Sequence, residues 1–500
     1  MDKSSALRYP AIAGLLAGLL SGFVFALALA IQGLLPLLSS LLGLTSVPLG
    51  VVGYVLLGSV AGIGSGLLFW RAAITPGASL MWGMAYALLW WIAGFLTLFP
   101  FLQGQRPGWT VEVARAAFPL LIGQLVAYGA VFSLTYRFLF TALAGRRQPG
   151  EVRRLAGAAL RALILGGLAG LLGGWVFGAW MARVGFFPLV AGLVGSDSAM
   201  VGRALHLVIS VVIGVTYGLL FQRDIRGTGA SIAWGVAYGL IWWILGPLTI
   251  MPLWLGQGPQ WSLEAARAAF PSLVGHLVYG VVLGVTYSVM ERFWRLLFTE
   301  ADPLNREPEG PGTRSLRALG MGMLASIIGG LAFTVVMVRT GALPQVASLV
   351  GASTPTAGFA VHMAISAILG ATYGLLFRRE STTYGAGLVW GLVYGFVWWL
   401  LGPLTLMPVF LGAEVQWSLA AALAAYPSLI GHLAYGGTLA LAYQLLLRRY
   451  DPLLLLGQAR VLRFGLRRSP ASGGRVFASA APALWVLVLV MGVVLPLILA

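Results

Sequence analysis

Apolar stretches of roughly 20 residues or more follow one another along almost the whole chain, separated by short polar segments. A helix of that length crosses a hydrocarbon core of ~30 Å at ~1.5 Å per residue. We therefore predict an all-α, polytopic transmembrane helical bundle of about 13 spans. The spans cover residues 11–34, 48–70, 79–101, 117–140, 159–182, 203–221, 230–254, 271–291, 317–338, 359–377, 385–411, 427–447 and 482–500.

One stretch of sequence recurs three times and divides these spans into groups of four. The copies begin at Trp82, Trp234 and Trp390, at offsets of 152 and 156 residues. We predict three tandem four-helix repeats, over residues 1–148, 149–300 and 301–450, with a flexible linker at 298–316. A basic amphipathic segment at 451–478 and an unpaired transmembrane helix at 479–500 complete the predicted organisation.

The second and fourth spans of repeats two and three share the pattern H-x-x-x-small-x-x-x-small-x-x-Y. Its four copies are His206, Ser210, Gly214, Tyr217; His276, Gly280, Gly284, Tyr287; His362, Ser366, Gly370, Tyr373; and His432, Gly436, Ala440, Tyr443. A spacing of four places the small residues on one helix face, where they let backbones approach closely in lipid. We expect this packing between spans two and four of a repeat, or across repeats. The residues expected to make it are Ser210, Gly214, Gly280, Gly284, Ser366, Gly370 and Gly436.

All four histidines of the chain lie in this pattern, a turn or two from the outer end of a span. In repeat one, Tyr54 and Gln124 take the histidine positions, and a one-residue insertion moves the last tyrosine to Tyr136. An ionisable group inside a span is a functional hypothesis by default. Three interpretations stay open: an interhelical hydrogen bond, a polar contact to a ligand or ion, and a haem or metal ligand. Tyr54 and Gln124 fit hydrogen bonding better than ligation.

The third span of each repeat holds a tryptophan pair near its middle, although tryptophan prefers the membrane interface. The pairs are Trp90–Trp91, Trp242–Trp243 and Trp398–Trp399. An indole N–H at that depth needs a hydrogen-bond acceptor or a cavity. The pattern predicts either core packing or an aromatic wall around an apolar or flat ligand.

A helix-breaking pair follows each tryptophan pair: Gly246-Pro247 and Gly402-Pro403, with Gly94-Phe95 in repeat one. Proline frees a backbone carbonyl and kinks the helix. A threonine that follows the break is placed to satisfy such a carbonyl; these are Thr97, Thr249 and Thr405. Broken helices near the bilayer centre are typical of transporters.

The outer loops after the third spans carry a second repeated feature, a tryptophan followed by a helix-capping hydroxyl. Thr110, Ser262 and Ser418 are predicted N-caps of short helices. The tryptophans before them, Trp109, Trp261 and Trp417, are expected to anchor the loops at the membrane interface.

Composition and charge agree with a membrane protein. Hydrophobic residues make up 59% of the chain and charged residues 9%, against about a quarter charged in a soluble domain. With the N-terminus inside, 25 of the 31 basic residues fall in cytoplasmic segments. This predicts that the N-terminus is cytoplasmic and the C-terminus outside. Membrane lipids, rather than nucleic acid, are the expected partners of the +17 net charge.

Several residue types are missing, and their absence excludes whole functional classes. Without cysteine there is no disulfide, thiol nucleophile or Cys-ligated metal. The only lysine is Lys3, so no P-loop lysine or intramembrane Schiff base exists. No Ser-His-Asp set, H-E-x-x-H motif or mid-span carboxylate is present. Enzyme activity stays open, but a non-catalytic role is favoured. No metal site is predicted, and haem b on the pairs His206/His276 and His362/His432 is the one cofactor considered.

The fourth span of repeat two resembles a helix seen in small bacterial inner-membrane proteins whose function is unknown. The residues that carry the resemblance are His276-Leu-Val-Tyr279-Gly280-x-x-x-Gly284-x-x-Tyr287. The chain is similar to a triplication of a four-span protein of that kind. The resemblance covers one helix per repeat; it implies a bacterial origin and leaves the activity open.

Three functions are compatible with this sequence. The first is a transporter or binder of a small apolar or aromatic molecule, or of a lipid. The candidate ligand-binding residues are His206, His276, His362, His432, Tyr54, Gln124, Trp90, Trp91, Trp242, Trp243, Trp398 and Trp399. The second is a structural or accessory subunit of a membrane complex, such as a redox complex, whose partner docks on the helix at 479–500. The third is the haem-binding protein described above.

Overall fold

A computed structural model describes residues 3–72, 75–144, 149–225, 227–298, 311–378, 380–381 and 383–462. Every element in these ranges is a helix. The described chain packs into two compact units. One unit runs through residue 225 and includes 234–287; the other includes 227–233 and the described residues from 288 to 462. The boundaries predicted for three repeats stay a prediction, and the repeats serve below as names for equivalent positions.

Each repeat has four long helices in order, joined by short ones. In repeat one they are Lys3–Ile31, Val47–Phe69, Pro76–Leu102 and Phe118–Leu143, with short helices Leu35–Leu41 and Val111–Ala116. In repeat two they are Pro149–Arg183, Ala199–Phe221, Thr228–Trp254 and Phe270–Phe298, with short helices Phe187–Ala191 and Leu263–Ala268. In repeat three they are Pro311–Thr340, Pro355–Phe377, Tyr384–Phe410 and Tyr426–Leu462, with short helices Leu343–Ala347 and Leu419–Ala424.

Eleven helices of the described chain are long and apolar enough to cross a membrane, which makes this an integral, multi-pass, all-α membrane protein. The span predicted at 427–447 lies in the helix Tyr426–Leu462 but is not among the eleven. Polar residues such as His432 and Gln444 lower its mean hydropathy. Part of the segment predicted at 451–478 and all of the helix predicted at 479–500 lie outside the described residues. The count of thirteen spans therefore stays a prediction, as does a partner docked on the last helix.

Small residues bring the helices of each repeat close together. A Cβ on Gly214 would collide with Gly166 of the first span, and a Cβ on Gly280 would collide with Gly235 of the third. The equivalent contacts in repeat three are Gly370 with Gly322 and Gly436 with Gly391. Ser210 and Ser366 face Gly174 and Gly330 of the first spans, and Gly284 lies beside Gly235. The small residues thus pair span one with span two and span three with span four. Our expectation that they join spans two and four was wrong, because the close backbone approach lies on other helix pairs.

Spans two and four meet instead through the tyrosines that end the pattern. The rings of Tyr217 and Tyr287 make an edge contact at 5.5 Å, and those of Tyr373 and Tyr443 do so at 5.6 Å. All four rings are almost fully buried. The recurrence of this aromatic cluster at equivalent positions agrees with the internal repeats indicated by the sequence.

The one-residue insertion in repeat one is accommodated by a π-helical turn. The fourth span of repeat one is π-helical over Leu125–Phe132, whereas its counterparts Phe270–Phe298 and Tyr426–Leu462 are α-helical throughout. A π-bulge absorbs one extra residue without ending the helix. After it, the Tyr136 hydroxyl donates to the carbonyl of Gly66 at 3.3 Å, as Tyr443 does to Gly374 at 3.4 Å. The extra residue therefore leaves the tyrosine in its equivalent place.

An acidic side chain from one repeat caps a helix of the preceding one. The hydroxyl of Thr75 donates to the carboxylate of Asp224 at 2.8 Å and accepts from the backbone N–H of Ala78 at 3.1 Å. At the equivalent position of the next repeat, Glu380 lies against Gly227 at the start of the helix that begins at Thr228. A negative charge at a helix N-terminus is favourable, so the repeats are linked at matching points.

The glycine contacts predict a difference between two substitutions on one helix. In Gly391→Ala the new methyl group would collide with the carbonyl of Gly436 and with Ala440. We expect a loss of about 1–3 kcal/mol in unfolding free energy, the usual effect of overpacking, measured by SDS unfolding of the purified protein. Gly385→Ala, on the same helix, places its methyl where nothing lies within 4 Å. This control should be neutral or gain up to ~1 kcal/mol. Equal losses in both variants would contradict the close packing.

Candidate functional site

The third span of every repeat changes to π-helical geometry directly after its tryptophan pair or within one turn of it. The π-helical turns are Trp91–Leu98, Gly246–Ile250 and Gly402–Leu406. Each threonine hydroxyl donates to the carbonyl five residues earlier, as the sequence predicted. The distances are 2.8 Å from Thr97 to Ile92, 2.8 Å from Thr249 to Ile244 and 2.7 Å from Thr405 to Leu400. Each threonine hydroxyl at the break therefore bonds within its own helix.

The tryptophan of the following loop hydrogen-bonds to the same threonine. The indole N–H donates to the threonine oxygen at 3.0 Å from Trp109, 2.9 Å from Trp261 and 2.9 Å from Trp417. Trp261 and Trp417 are buried, at 1% and 4% exposure, while Trp109 is 70% exposed. The expectation of interfacial anchors was therefore wrong for Trp261 and Trp417, because the loop folds back and places these indoles against the broken helix.

Backbone bonds hold the loop in this folded-back position. The N–H groups of Gly108, Gln260 and Gln416 donate to the carbonyls of Leu96, Leu248 and Leu404 at 2.7, 2.8 and 2.8 Å. The predicted N-caps are present, since Thr110, Ser262 and Ser418 accept from the backbone three residues later. The pKa of Glu112 lies below its usual range, because its carboxylate bonds to its own backbone N–H and to Thr110. Loop and break therefore form one hydrogen-bonded unit.

The two tryptophans of each pair have different surroundings. The second indole is buried, and its N–H donates to the backbone carbonyl of the residue just before the fourth span. The distances are 2.9 Å from Trp91 to Ala117, 3.1 Å from Trp243 to Ala269 and 3.0 Å from Trp399 to Ala425. The first is half-buried, and its ring meets the edge of a tyrosine at 6.1–6.2 Å; these are Trp90, Trp242 and Trp398. Only the first tryptophan of each pair has an indole surface left for a ligand.

The two histidines of repeat two point at one shared ring. Phe177, from the first span, makes edge contacts with His206 at 5.5 Å and with His276 at 5.1 Å. Repeat three has the same arrangement, with Phe333 at 5.1 Å from His362 and 4.6 Å from His432. The histidines of each repeat therefore face a common interior position, which a phenyl ring occupies.

Hydrogen bonds to backbone carbonyls define the histidine tautomers. His206 Nε2 lies 3.0 Å from the carbonyl of Gly174, and His362 Nε2 lies 3.0 Å from that of Gly330. His276 and His432 instead use Nδ1, at 2.8 Å from the carbonyls of Ser272 and Ser428. A carbonyl only accepts, so each of these nitrogens carries the proton. In the neutral rings of His276 and His432, Nε2 is then the acceptor, and it has no hydrogen-bond partner among the described residues.

Repeat one replaces both histidines by a direct side-chain contact. The amide of Gln124 donates to the hydroxyl of Tyr54 at 2.5 Å, and both side chains are buried. Phe25 stands where Phe177 and Phe333 stand in the other repeats, stacked on Tyr54 at 5.0 Å. The position thus keeps its aromatic centre and loses its imidazoles.

The phenylalanine at the centre was missed by the sequence analysis. It stands at the same repeat position in all three copies, Phe25, Phe177 and Phe333, and that recurrence was the signal available. The glycine that directly precedes Gln124, His276 or His432 on the fourth span leaves room for the phenylalanine ring. A Cβ on Gly123, Gly275 or Gly431 would collide with the ring.

The space around these histidines does not fit a haem. Phe177 and Phe333 fill the gap between the paired rings, and Nε2 of His206 and of His362 is bonded to a carbonyl. Within the described residues, no three His, Asp or Glu side chains are grouped so that they could hold a metal ion.

In repeat three, the free nitrogen of the fourth-span histidine lies at the break in the third span. A Cβ on Gly402 would have His432 Nε2 as its one neighbour within 4 Å, at 3.6 Å, and a Cβ on Gly246 would meet none. In repeat one the equivalent glycine, Gly94, has Trp90 and Phe99 within 3.4 and 3.6 Å of a Cβ. A Cβ at the break would therefore meet only the histidine nitrogen in repeat three, nothing in repeat two and two aromatic rings in repeat one.

Comparison with family models, with curated proteins and with solved structures gave no match. The resemblance to small bacterial inner-membrane proteins stays a prediction from the sequence.

The threonine at the break predicts a stability effect that a matched threonine lacks. Thr405→Val removes a hydroxyl that satisfies the carbonyl of Leu400 and the indole N–H of Trp417. We expect a loss of about 1–3 kcal/mol in unfolding free energy, because polar groups buried in lipid lose their partners. Thr438→Val, equally half-buried, removes a hydroxyl that bonds only to carbonyls of its own helix. This control should lose less than about 1 kcal/mol. SDS unfolding measures both, and equal losses would contradict the role of Thr405.

Proposed function

We propose that this membrane protein binds a small apolar or aromatic molecule, or a lipid, beside the broken third span of repeats two and three, and transports it. The observation that carries the proposal is the free Nε2 of His432 facing the open break at Gly402. Intramembrane sites combine an apolar lining with a few placed polar groups. An unpaired imidazole acceptor beside apolar residues meets that description.

Repeat one supports this interpretation by contrast. Phe95 stands where the other repeats have Pro247 and Pro403, and its ring lies 6.5 Å from Tyr54 and 5.5 Å from Phe99. Met251 and Met407 take the place of Phe99 in the other repeats. Two aromatic rings therefore occupy in repeat one the region that stays open beside the histidine in repeats two and three.

The half-buried tryptophans complete the proposed lining. Trp242 and Trp398 lie one turn before the glycines of the break, on the same helix. Their indole faces suit an apolar or flat molecule. His206 and His362 lie behind Phe177 and Phe333 and would act on the ligand only through those rings.

Transport, rather than binding alone, is supported by the break itself. Interrupted helices at bilayer depth occur where backbone lines a site, and transporters use them as the element that moves. Here the break, the loop tryptophan and the folded-back loop form one hydrogen-bonded unit. A rotation of that unit would open or close the region beside the histidine.

The orientation we propose has the N-terminus inside, from the distribution of basic residues. The resemblance to bacterial inner-membrane proteins favours a bacterial cytoplasmic membrane. The chain has no cysteine, so a single introduced cysteine reports its own location. Ala72→Cys should be protected from a membrane-impermeant maleimide in intact cells, and Gln257→Cys should be labelled. Both positions are exposed, and lysed cells provide the control in which both react. Labelling of Ala72→Cys alone in intact cells would contradict the orientation.

Because the proposed site binds a ligand, we expect a compound to co-purify with the protein. Organic extracts of protein purified in mild detergent should contain a small apolar molecule, identified by mass spectrometry. Pro247→Phe combined with Pro403→Phe places the ring of repeat one into the other two breaks, and should reduce the bound compound at least about tenfold, a loss of about 1.4 kcal/mol in binding.

The matched control for this experiment is Leu253→Phe combined with Val409→Phe. These residues are 39% and 46% exposed on the same helices and occupy equivalent repeat positions. The control adds the same two rings away from the break and should keep the compound. Equal retention in both double variants would rule out the break as the binding site.

A further inference from the structure

We infer that the ligand is an uncharged, largely apolar molecule with a hydroxyl or N–H donor that bonds to Nε2 of His276 or His432, and that each chain binds two copies. The inference rests on the proposed function and specifies its ligand class and stoichiometry. It follows from the state of the imidazole rings, the charges around them and the difference between repeat one and the other two.

The imidazoles offer an acceptor and no donor. The Nδ1–H groups of His276 and His432 are already used, at 2.8 Å from the carbonyls of Ser272 and Ser428. A neutral ring has one protonated and one acceptor nitrogen. What remains to a ligand is the lone pair of Nε2, so a ligand that binds there must bring the proton.

Nothing in the spans offers compensation for a charged ligand. No Asp or Glu lies near the middle of a predicted span, and the basic residues concentrate in the loops. Placing an unpaired ammonium or carboxylate among apolar side chains is strongly unfavourable. An alcohol, phenol or amide N–H satisfies the acceptor without adding a charge.

Two of the three repeats have this combination, and the third lacks each part of it. His276 and His432 both use Nδ1 for the backbone. Nε2 of His432 would lie 3.6 Å from a Cβ on Gly402, and a Cβ on Gly246 would have no neighbour within 4 Å. In repeat one the Gln124 amide is bonded to Tyr54, and Phe95 packs against the same tyrosine. Repeat one is therefore a closed copy, and two sites per chain remain.

A pair of pyrene probes separates hydroxyl recognition from plain apolar binding. 1-Pyrenebutanol and 1-butylpyrene share the ring and the chain and differ in one hydroxyl. Trp242 and Trp398 lie beside the proposed sites, so energy transfer from tryptophan to pyrene follows binding to the full-length protein in nanodiscs. We expect the alcohol to bind about 5–10-fold more tightly than the hydrocarbon, the effect of one neutral hydrogen bond, with two sites per chain.

Variants of the acceptor test its identity. His276→Phe combined with His432→Phe keeps a ring against Phe177 and Phe333 but removes the acceptor, so the preference for the alcohol should disappear. His276→Gln combined with His432→Gln keeps an acceptor oxygen, and repeat one shows glutamine at this position in Gln124. This control should retain a preference of at least about threefold.

Pro403→Phe leaves both histidines in place and should reduce the stoichiometry from two probe molecules per chain to one. This variant tests the inference even if the double His→Phe variant does not fold.

The possible outcomes separate this inference from the proposed function. Equal binding of both probes, unaffected by the histidine substitutions, would overturn hydroxyl recognition and leave apolar binding standing. Three alcohol sites per chain, or two that survive Pro403→Phe, would overturn the closed state of repeat one. Failure of both probes to bind would overturn the inference and the proposed function together.

Discussion

The hydrocarbon core of a bilayer supplies no hydrogen bonds, so a backbone carbonyl freed inside it must find its partner within the protein. At the break in each third span, one threonine and the loop after it supply such bonds. The threonine hydroxyl donates to the carbonyl five residues earlier and accepts the indole N–H of the loop tryptophan, as Thr405 does between Leu400 and Trp417. The loop is thereby drawn back to the helix, and a local backbone requirement determines where the fourth span begins.

A second constraint is steric and acts between helices. The phenylalanine of the first span reaches the histidines only because a glycine directly precedes His276 and His432 on the fourth span. A side chain at Gly275 or Gly431 would occupy the place of the ring. The ring then separates the two imidazoles, and each turns one nitrogen to a backbone carbonyl. Packing therefore leaves a single free nitrogen in each of repeats two and three, on the fourth-span histidine.

The three copies differ where function would require them to differ. Repeat one keeps the break, the threonine and the loop tryptophan, which serve the backbone. Where repeats two and three have two histidines, a proline and a methionine, repeat one has Tyr54, Gln124, Phe95 and Phe99. These four side chains pack against one another. The shared elements bond to the backbone, and the exchanged ones lie at the break and at the histidine positions. The proposal of two sites in each chain rests on this difference.

The class of protein, the broken third helix and the threonine that bonds at the break could be predicted from the sequence, because they follow from apolar length, repeat offset and backbone chemistry within one segment. The four histidines could also be recognised as a set. The folded chain was needed to show which helices the small residues join, that Phe177 and Phe333 contact both imidazoles of their repeat, and that Trp261 and Trp417 are buried. These are contacts between segments far apart in the chain. Helical periodicity shows which face of a helix is small or aromatic, but not which neighbour meets that face.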